Sequence, residues 1–163
     1  MTLYTVIDNF EKPFRQLYGP EGEEIQQNII LSSQVSSGQR LPEGKWEYRR
    51  YANGAVALVC SDRQSKLLVD NGSGESLLLS PEAISLAANL LVLNEKAEEQ
   101  AYLGSQSPIS VMHLALREAI IRDIPSILIT SMSPEVEMRP PYSQREIKIA
   151  PHAEAEAIVL ISG

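Results

Sequence analysis

The sequence contains few of the residues that carry most enzyme and metal chemistry. Cys60 is its only cysteine, and His113 and His152 are its only histidines. Cys60 lies within an apolar run, which indicates a small buried side chain rather than a reactive thiol. His113 falls on the polar side of a predicted helix, which favours a solvated imidazole over a general base. Since no Gly-x-Ser-x-Gly segment accompanies them, we expect no nucleophilic catalytic triad.

Long apolar runs are also scarce. The longest ones are interrupted at Asn94 and Arg117, short of the roughly 18 apolar residues that a membrane-spanning helix needs. Residues 1–10 lack the basic and apolar regions of a secretory signal. We therefore expect a soluble, cytoplasmic protein with no membrane partner.

Positive charge is in deficit. The chain has 14 Lys and Arg against 21 Asp and Glu, a net charge of -7. Its densest basic cluster, Arg49-Arg50 beside Lys45, is too small to form the basic stripe that binds phosphate backbones. A net charge of -7 is also too small for a protein that mimics the closely spaced phosphates of DNA. We expect no direct nucleic-acid binding.

Length and composition fit one globular domain over residues 1–163. The hydrophobic fraction is 44% and the charged fraction 21%, so the chain can build a core without disulfides or a structural metal. The predicted segments are a helical part at 1–40, a meander at 45–79, helices at 81–122 and an irregular, strand-rich tail at 124–163.

Helix signals predominate in the first segment. Asp8 can cap a short helix, and Gly19-Pro20 interrupts the chain after it. Ile25, Ile29 and Ile30 then follow at helical spacing behind an acidic first turn. Two helices are therefore predicted here.

Alternating side chains predict strands in residues 45–79. Trp46 and Tyr48 would share one face of the first strand, and we expect Trp46 to be largely buried under the helix that starts at Pro81. Asn53-Gly54 is typical of a type I′ turn. The four predicted strands are residues 45–52, 55–61, 66–70 and 75–79. They would form a four-stranded antiparallel meander packed against helices, which makes the fold class α+β.

Ser80-Pro81-Glu82 is a strong helix start. Serine can accept from the free N–H groups, proline fits the first turn, and glutamate favours the positive end of the helix. The helix should run to about Gln100, with one narrow polar stripe that holds Glu82, Ser85 and Asn89. Its remaining surface is apolar, so we expect a mostly buried helix.

A second helix is predicted over residues 109–122, after Ser107-Pro108. Its polar stripe is Ser110, His113 and Arg117. The apolar residues assigned to its packed face are Val111, Leu114, Ala115, Leu116 and Ile120. In the tail, apolar runs at 126–130, 146–150 and 157–161 are interpreted as additional C-terminal strands.

One cluster in the tail could hold a metal ion. His152, Glu154 and Glu156 alternate, so on a strand their side chains would share a face. Because no third nitrogen or sulfur ligand accompanies them, we favour a solvated strand edge and predict no metal or cofactor. The alternative function that this cluster leaves open is a small metal-dependent hydrolase.

The order of several motifs resembles the ArdB/KlcA family of antirestriction proteins, which plasmids and other mobile elements carry. The motifs are Tyr18-Gly19-Pro20, Trp46 with Tyr48, Asn53-Gly54, Asn71-Gly72, and Leu79-Ser80 followed by Glu82-Ala83. The resemblance covers about residues 8–122. Two departures stand out: residues 55–59 replace the family's Phe-Tyr-Met-Ala-Pro, and Asp123-Ile124-Pro125 stands near where the family has His-Pro-Glu.

The resemblance implies a counter-defence protein of a mobile element or phage. Such a protein would contact a host restriction or defence protein and inhibit it without catalysis, so the chain would not be an enzyme. The residues predicted for that contact are Lys45, Glu47, Arg49 and Arg50. The oligomeric state stays open.

Overall fold

The computed structural model describes residues 4–42, 45–62, 66–70, 76–101, 107–121 and 154–162. Its strands are β1 (Tyr4–Ile7), β2 (Trp46–Tyr51), β3 (Val56–Cys60), β4 (Leu67–Asp70) and β5 (Ser76–Leu79). Its helices are α1 (Pro13–Tyr18), α2 (Gly22–Ser37), α3 (Pro81–Glu99), α4 (Pro108–Ile121) and α5 (Ala155–Ser162). Single 3-10 turns lie at Asn9–Glu11 and Gly19–Glu21. The predicted α+β class is confirmed.

The strands form two antiparallel sheets instead of one meander. β2 is the central strand of the sheet β1-β2-β3, and β4 pairs with β5 in a second, two-stranded sheet. The prediction is thus right for both hairpins and wrong for the pairing of the third strand with the second. β1, which pairs Tyr4 with Tyr51 and Ile7 with Tyr48, lies in the segment predicted as helical.

Side chains of α3 close the outer edge of β3. Ser85 Oγ accepts from the amide of Cys60 at 3.0 Å. The Asn89 side chain accepts from the amide of Leu58 at 3.0 Å and donates to its carbonyl at 2.7 Å. Both helix residues are completely buried. The polar stripe of α3 therefore replaces a neighbouring strand.

This closed edge explains why β4 does not extend the first sheet. The next outward amide, that of Val56, lies 3.2 Å from the sulfur of Met112 on α4. With three successive outward amides occupied by helix side chains, no free ladder is left for another strand. β4 and β5 instead cover the groove between α2 and α3, with Val69 and Leu79 buried.

The loop between β2 and β3 differs from the predicted type I′ turn. The amide of Tyr51 donates to the carbonyl of Ala55 at 2.8 Å, which leaves a three-residue loop. Only Gly54 in this loop has a positive φ, at 87°. A three-residue hairpin loop ends in one left-handed residue, whereas a type I′ turn needs a positive φ at both central residues. Glycine is therefore needed at a single position.

Helix α3 begins as predicted and lies at the centre of the packing. Ser80 Oγ accepts from the amide of Ala83 at 3.1 Å, and Pro81 occupies the first turn. The helix contacts α2, α4, α5 and β3. Within the described residues, no helix is both long and apolar enough to cross a bilayer.

The last apolar run is a helix rather than a strand. The amide of Ile158 donates to the carbonyl of Glu154 at 2.9 Å, and Ile158 is fully buried in a helix that packs on α3. A short apolar run fits a buried helix as well as a strand, so its periodicity could not separate them. The runs predicted as strands at 126–130 and 146–150 lie outside the described residues.

The predicted packed face of helix α4 is right in part: Leu116 and Ile120 are buried and Ala115 packs against the core, whereas Val111 and Leu114 do not. Its buried residues are Ile109, Met112, Leu116, Ala119 and Ile120. Val111 and Leu114, which were assigned to the packed face, are 50% and 57% exposed. The stretch is apolar around most of its circumference, so the sequence does not specify which side is buried.

Candidate binding cavity and buried charge cluster

A cavity of about 470 Å³ opens between α1, α2 and one face of the first sheet. Its apolar lining includes Phe14, Ile30, Trp46, Tyr48 and Leu58. Its polar lining includes Lys12, Arg15, Glu23, Gln26 and Gln27. The cavity thus combines an aromatic wall with several hydrogen-bonding groups.

The aromatic wall is held by ring packing and one hydrogen bond. The rings of Phe14 and Tyr48 meet edge to face, with centroids 5.3 Å apart. The Tyr48 hydroxyl donates to Gln26 Oε1 at 2.5 Å. Burial raises the pKa of Tyr48, so its hydroxyl stays a neutral donor. Trp46 is only half-buried and lines this cavity, so its predicted burial under α3 is wrong.

A close approach of two helices shapes the other wall. Gly22, the first residue of α2, lies so near α1 that an added Cβ would be 2.5 Å from the carbonyl oxygen of Phe14. Lys12 precedes α1 with a φ of 46°, a left-handed conformation that is uncommon for a residue other than glycine. Nothing in the sequence pattern marked these N-terminal residues as part of a site.

The four predicted contact residues do not share one surface. Lys45 and Arg50 are exposed, Glu47 is half-buried and Arg49 is 4% exposed. Because side chains alternate along β2, Arg50 lies on the face of Trp46, while Lys45, Glu47 and Arg49 lie on the other face.

Arg49 is the centre of a buried charge cluster. Its Nη1 lies 2.7 Å from Glu82 on α3, and its Nε lies 3.1 Å from Glu47. Its guanidinium carbon is 4.0 Å from the ring centroid of Tyr4 on β1. Burial lowers the pKa of Arg49, but Glu82, with smaller contributions from Tyr51 and Glu47, raises it above the ordinary value. The residue therefore stays charged and ties β1, β2 and α3 together.

Replacing Arg49 with methionine should lower the free energy of unfolding by about 2 to 3 kcal/mol. Removal of one partner from a fully buried ion pair costs more, but Glu82 is partly exposed and can be solvated. The matched control is Arg50→Met on the exposed face, which should change stability by no more than about 0.5 kcal/mol. Urea unfolding followed by circular dichroism measures both, and equal losses would contradict the assignment.

The structure describes two of the three residues considered for metal binding, Glu154 and Glu156. Glu154 accepts from the amide and hydroxyl of Ser80, while Glu156 lies exposed in the first turn of α5. Since they flank a helix start, the alternation argument for a shared strand face does not hold. His152 lies outside the described residues. Within the residues that are described, no group of three His, Cys, Asp or Glu could hold a metal.

The remaining two candidates are placed in ordinary packed positions. Cys60 is completely buried, as predicted, and burial raises the pKa of its thiol. His113 is half-buried on α4, and its pKa is lowered by burial and by the charge of Arg117.

Among the solved structures with a similar fold is one whose match covers 99% of this chain and 95% of the other chain, with a TM-score of 0.65. The fold resembles that of the KlcA and ArdB proteins. That structure comes from work reporting a novel fold and antirestriction activity of those proteins against Type I DNA restriction systems in vivo but not in vitro. At 16% identity, the likeness is one of fold. No protein-family model matches the sequence, and no curated protein matches it.

Motifs behind the KlcA/ArdB resemblance lie at structural junctions of the fold. Tyr18-Gly19-Pro20 joins α1 to α2, and Ser80 caps α3. Asn53, beside the glycine of the β2-β3 loop, donates to the carbonyl of Ala115 on α4 at 2.7 Å. The resemblance read from the residues is therefore confirmed at the level of the fold.

Proposed function

We propose that this protein is an antirestriction protein of a mobile element or phage, which inhibits a host DNA-restriction system through protein contacts and without catalysis. The observation that carries this proposal is the fold likeness to the KlcA and ArdB proteins over 99% of the chain. The ordered motifs at 8–122 support it independently, because they were recognised from residue types alone.

The charge balance supports a protein partner rather than DNA. The net charge is -7, and two of the three arginine and lysine residues around β2, Lys45 and Arg50, are exposed on opposite faces. A contact with a host protein at one of these faces needs only a few anchoring residues. Arg49 would support such a contact from inside the fold.

The proposal is tested by plating unmodified phage on cells that carry a Type I restriction system. Expression of this protein should raise the efficiency of plating towards that on a host without the system. Phage already modified by the host should plate equally with and without the protein, which controls for effects on phage growth. Unchanged restriction, at an expression level confirmed by immunoblot, would contradict the proposal.

The contact itself is tested by charge reversal on each face. Lys45→Glu and Arg50→Glu probe opposite sides of β2, and both side chains are exposed, so folding should be preserved. We expect one of them to reduce protection while circular dichroism stays unchanged. Full protection by both folded variants would contradict a contact with the host protein at β2.

A further inference from the structure

We propose that the cavity between α1, α2 and the first sheet binds a small organic anion with a planar, apolar body, such as an aromatic carboxylate. This inference does not depend on the antirestriction proposal, since it rests on the cavity alone. Its volume of about 470 Å³ lies within the range of about 300 to 1,000 Å³ that is usual for small-molecule sites.

The aromatic wall favours a flat ligand. Phe14 and Tyr48 are 2% and 6% exposed and their rings pack against each other, while half-buried Trp46 also lines the cavity. An aromatic ring placed against such side chains gains offset or edge-to-face packing in addition to burial.

Hydrogen-bond donors exceed acceptors in the polar lining. Gln26 Oε1 is occupied by the Tyr48 hydroxyl, so its amide nitrogen is the group left for a ligand. Lys12 and Arg15 add two cations, and neither forms an ion pair with any residue that the structure describes. Glu23 is the single carboxylate among the lining residues. This local excess of positive charge, in a chain of net charge -7, selects an anion.

The backbone of Lys12 supports a role for its side chain. Its N–H donates to the carbonyl of Asn9 and its carbonyl accepts from Gln16, so the left-handed conformation joins a 3-10 turn to α1. Glycine or asparagine would adopt that conformation with less strain. Since Lys12 lines the cavity, we infer that a lysine stands at this position because its ammonium group serves the ligand.

The test is a titration of the whole chain with three ligands of one shape: 3-phenylpropionate, 3-phenylpropanamide and 3-phenylpropylamine. Trp46, the only tryptophan, reports binding through its fluorescence. Because hydrogen bonds to a charged group are about twice as strong as neutral ones, we expect the acid to bind about tenfold more tightly than the amide. The amine should bind most weakly.

Two glycine variants separate charge from strain. Lys12→Gly relieves the left-handed backbone and removes the cation, so it should remain folded and bind the acid about tenfold more weakly. Gln39→Gly is the matched control, because Gln39 also has a positive φ, at 64°, but does not line the cavity. It should bind as the unchanged protein does.

Several results would overturn the proposal. Equal affinities for the acid and the amide would contradict the proposal that the cavity prefers an anion. Unchanged acid binding by a folded Lys12→Gly variant would contradict it as well. No change in Trp46 emission with any of the three ligands would remove the site. If a Glu-Phe-Glu peptide binds and 3-phenylpropionate does not, the cavity is a site for a protein segment and the small-molecule proposal is wrong.

Discussion

Replacing Asn89 with alanine should lower the free energy of unfolding by about 3 to 5 kcal/mol. The side chain is fully buried and satisfies both the amide and the carbonyl of Leu58 on the closed edge of β3. Without it, two buried backbone groups lose their partners, and each such group costs about 1 to 3 kcal/mol.

Asn94→Ala is the matched control for Asn89→Ala. Asn94 lies on the same helix but is half-exposed, so its replacement should change stability by less than about 1 kcal/mol. Both variants gain the same helix propensity, and urea unfolding compares them directly. Hydrogen exchange of the Leu58 amide adds a local readout, because its protection should fall in Asn89→Ala alone. Similar unfolding curves for the two variants would refute the role of Asn89.

Gly22→Ala should destabilise the fold by about 3 kcal/mol, even though the helix favours alanine. The backbone of Gly22, with φ at -58°, suits any residue, so conformational strain is not the cause. The added Cβ would meet three backbone atoms of α1 at 2.5 to 2.8 Å, and backbone cannot move aside without separating the helices. Thermal unfolding measures the effect.

Gly54→Ala is the useful comparison for this helix contact. No atom lies within 4 Å of a Cβ at Gly54, so its cost comes only from the positive φ and should be about 1 kcal/mol. A neutral or stabilising Gly22→Ala would mean that the gain in helix propensity exceeds the steric cost of the added Cβ. The close approach of α1 and α2 would then be wrong.

The sequence predicted local structure better than long-range pairing. Ser80 and Gly19 mark helix ends through bonds within a few residues, so residue type was enough to find them. The stripe of Glu82, Ser85 and Asn89 was also found. The stripe contacts the edge of β3, which lies far from α3 in the sequence. That contact depends on tertiary packing, which periodicity does not encode.

The cavity could not have been predicted from the same signals. Its walls come from α1, α2 and β2, and the short contact at Gly22 that sets their spacing leaves no pattern in the chain. β1 was missed because four residues, Tyr4–Ile7, are too few to show a period, although aromatic and β-branched residues favour strands. The helix α5 was missed for a similar reason, since its apolar run is short.

The most direct test of the central claim is the dose dependence of phage protection. An inhibitor that acts by contact must match its target in number, so protection should rise with the ratio of this protein to the restriction enzyme and reach its maximum near equal amounts. A titratable promoter and quantitative immunoblots give that ratio in the same cells that are plated. Full protection at a small fraction of the enzyme's copy number would show turnover and contradict inhibition by contact.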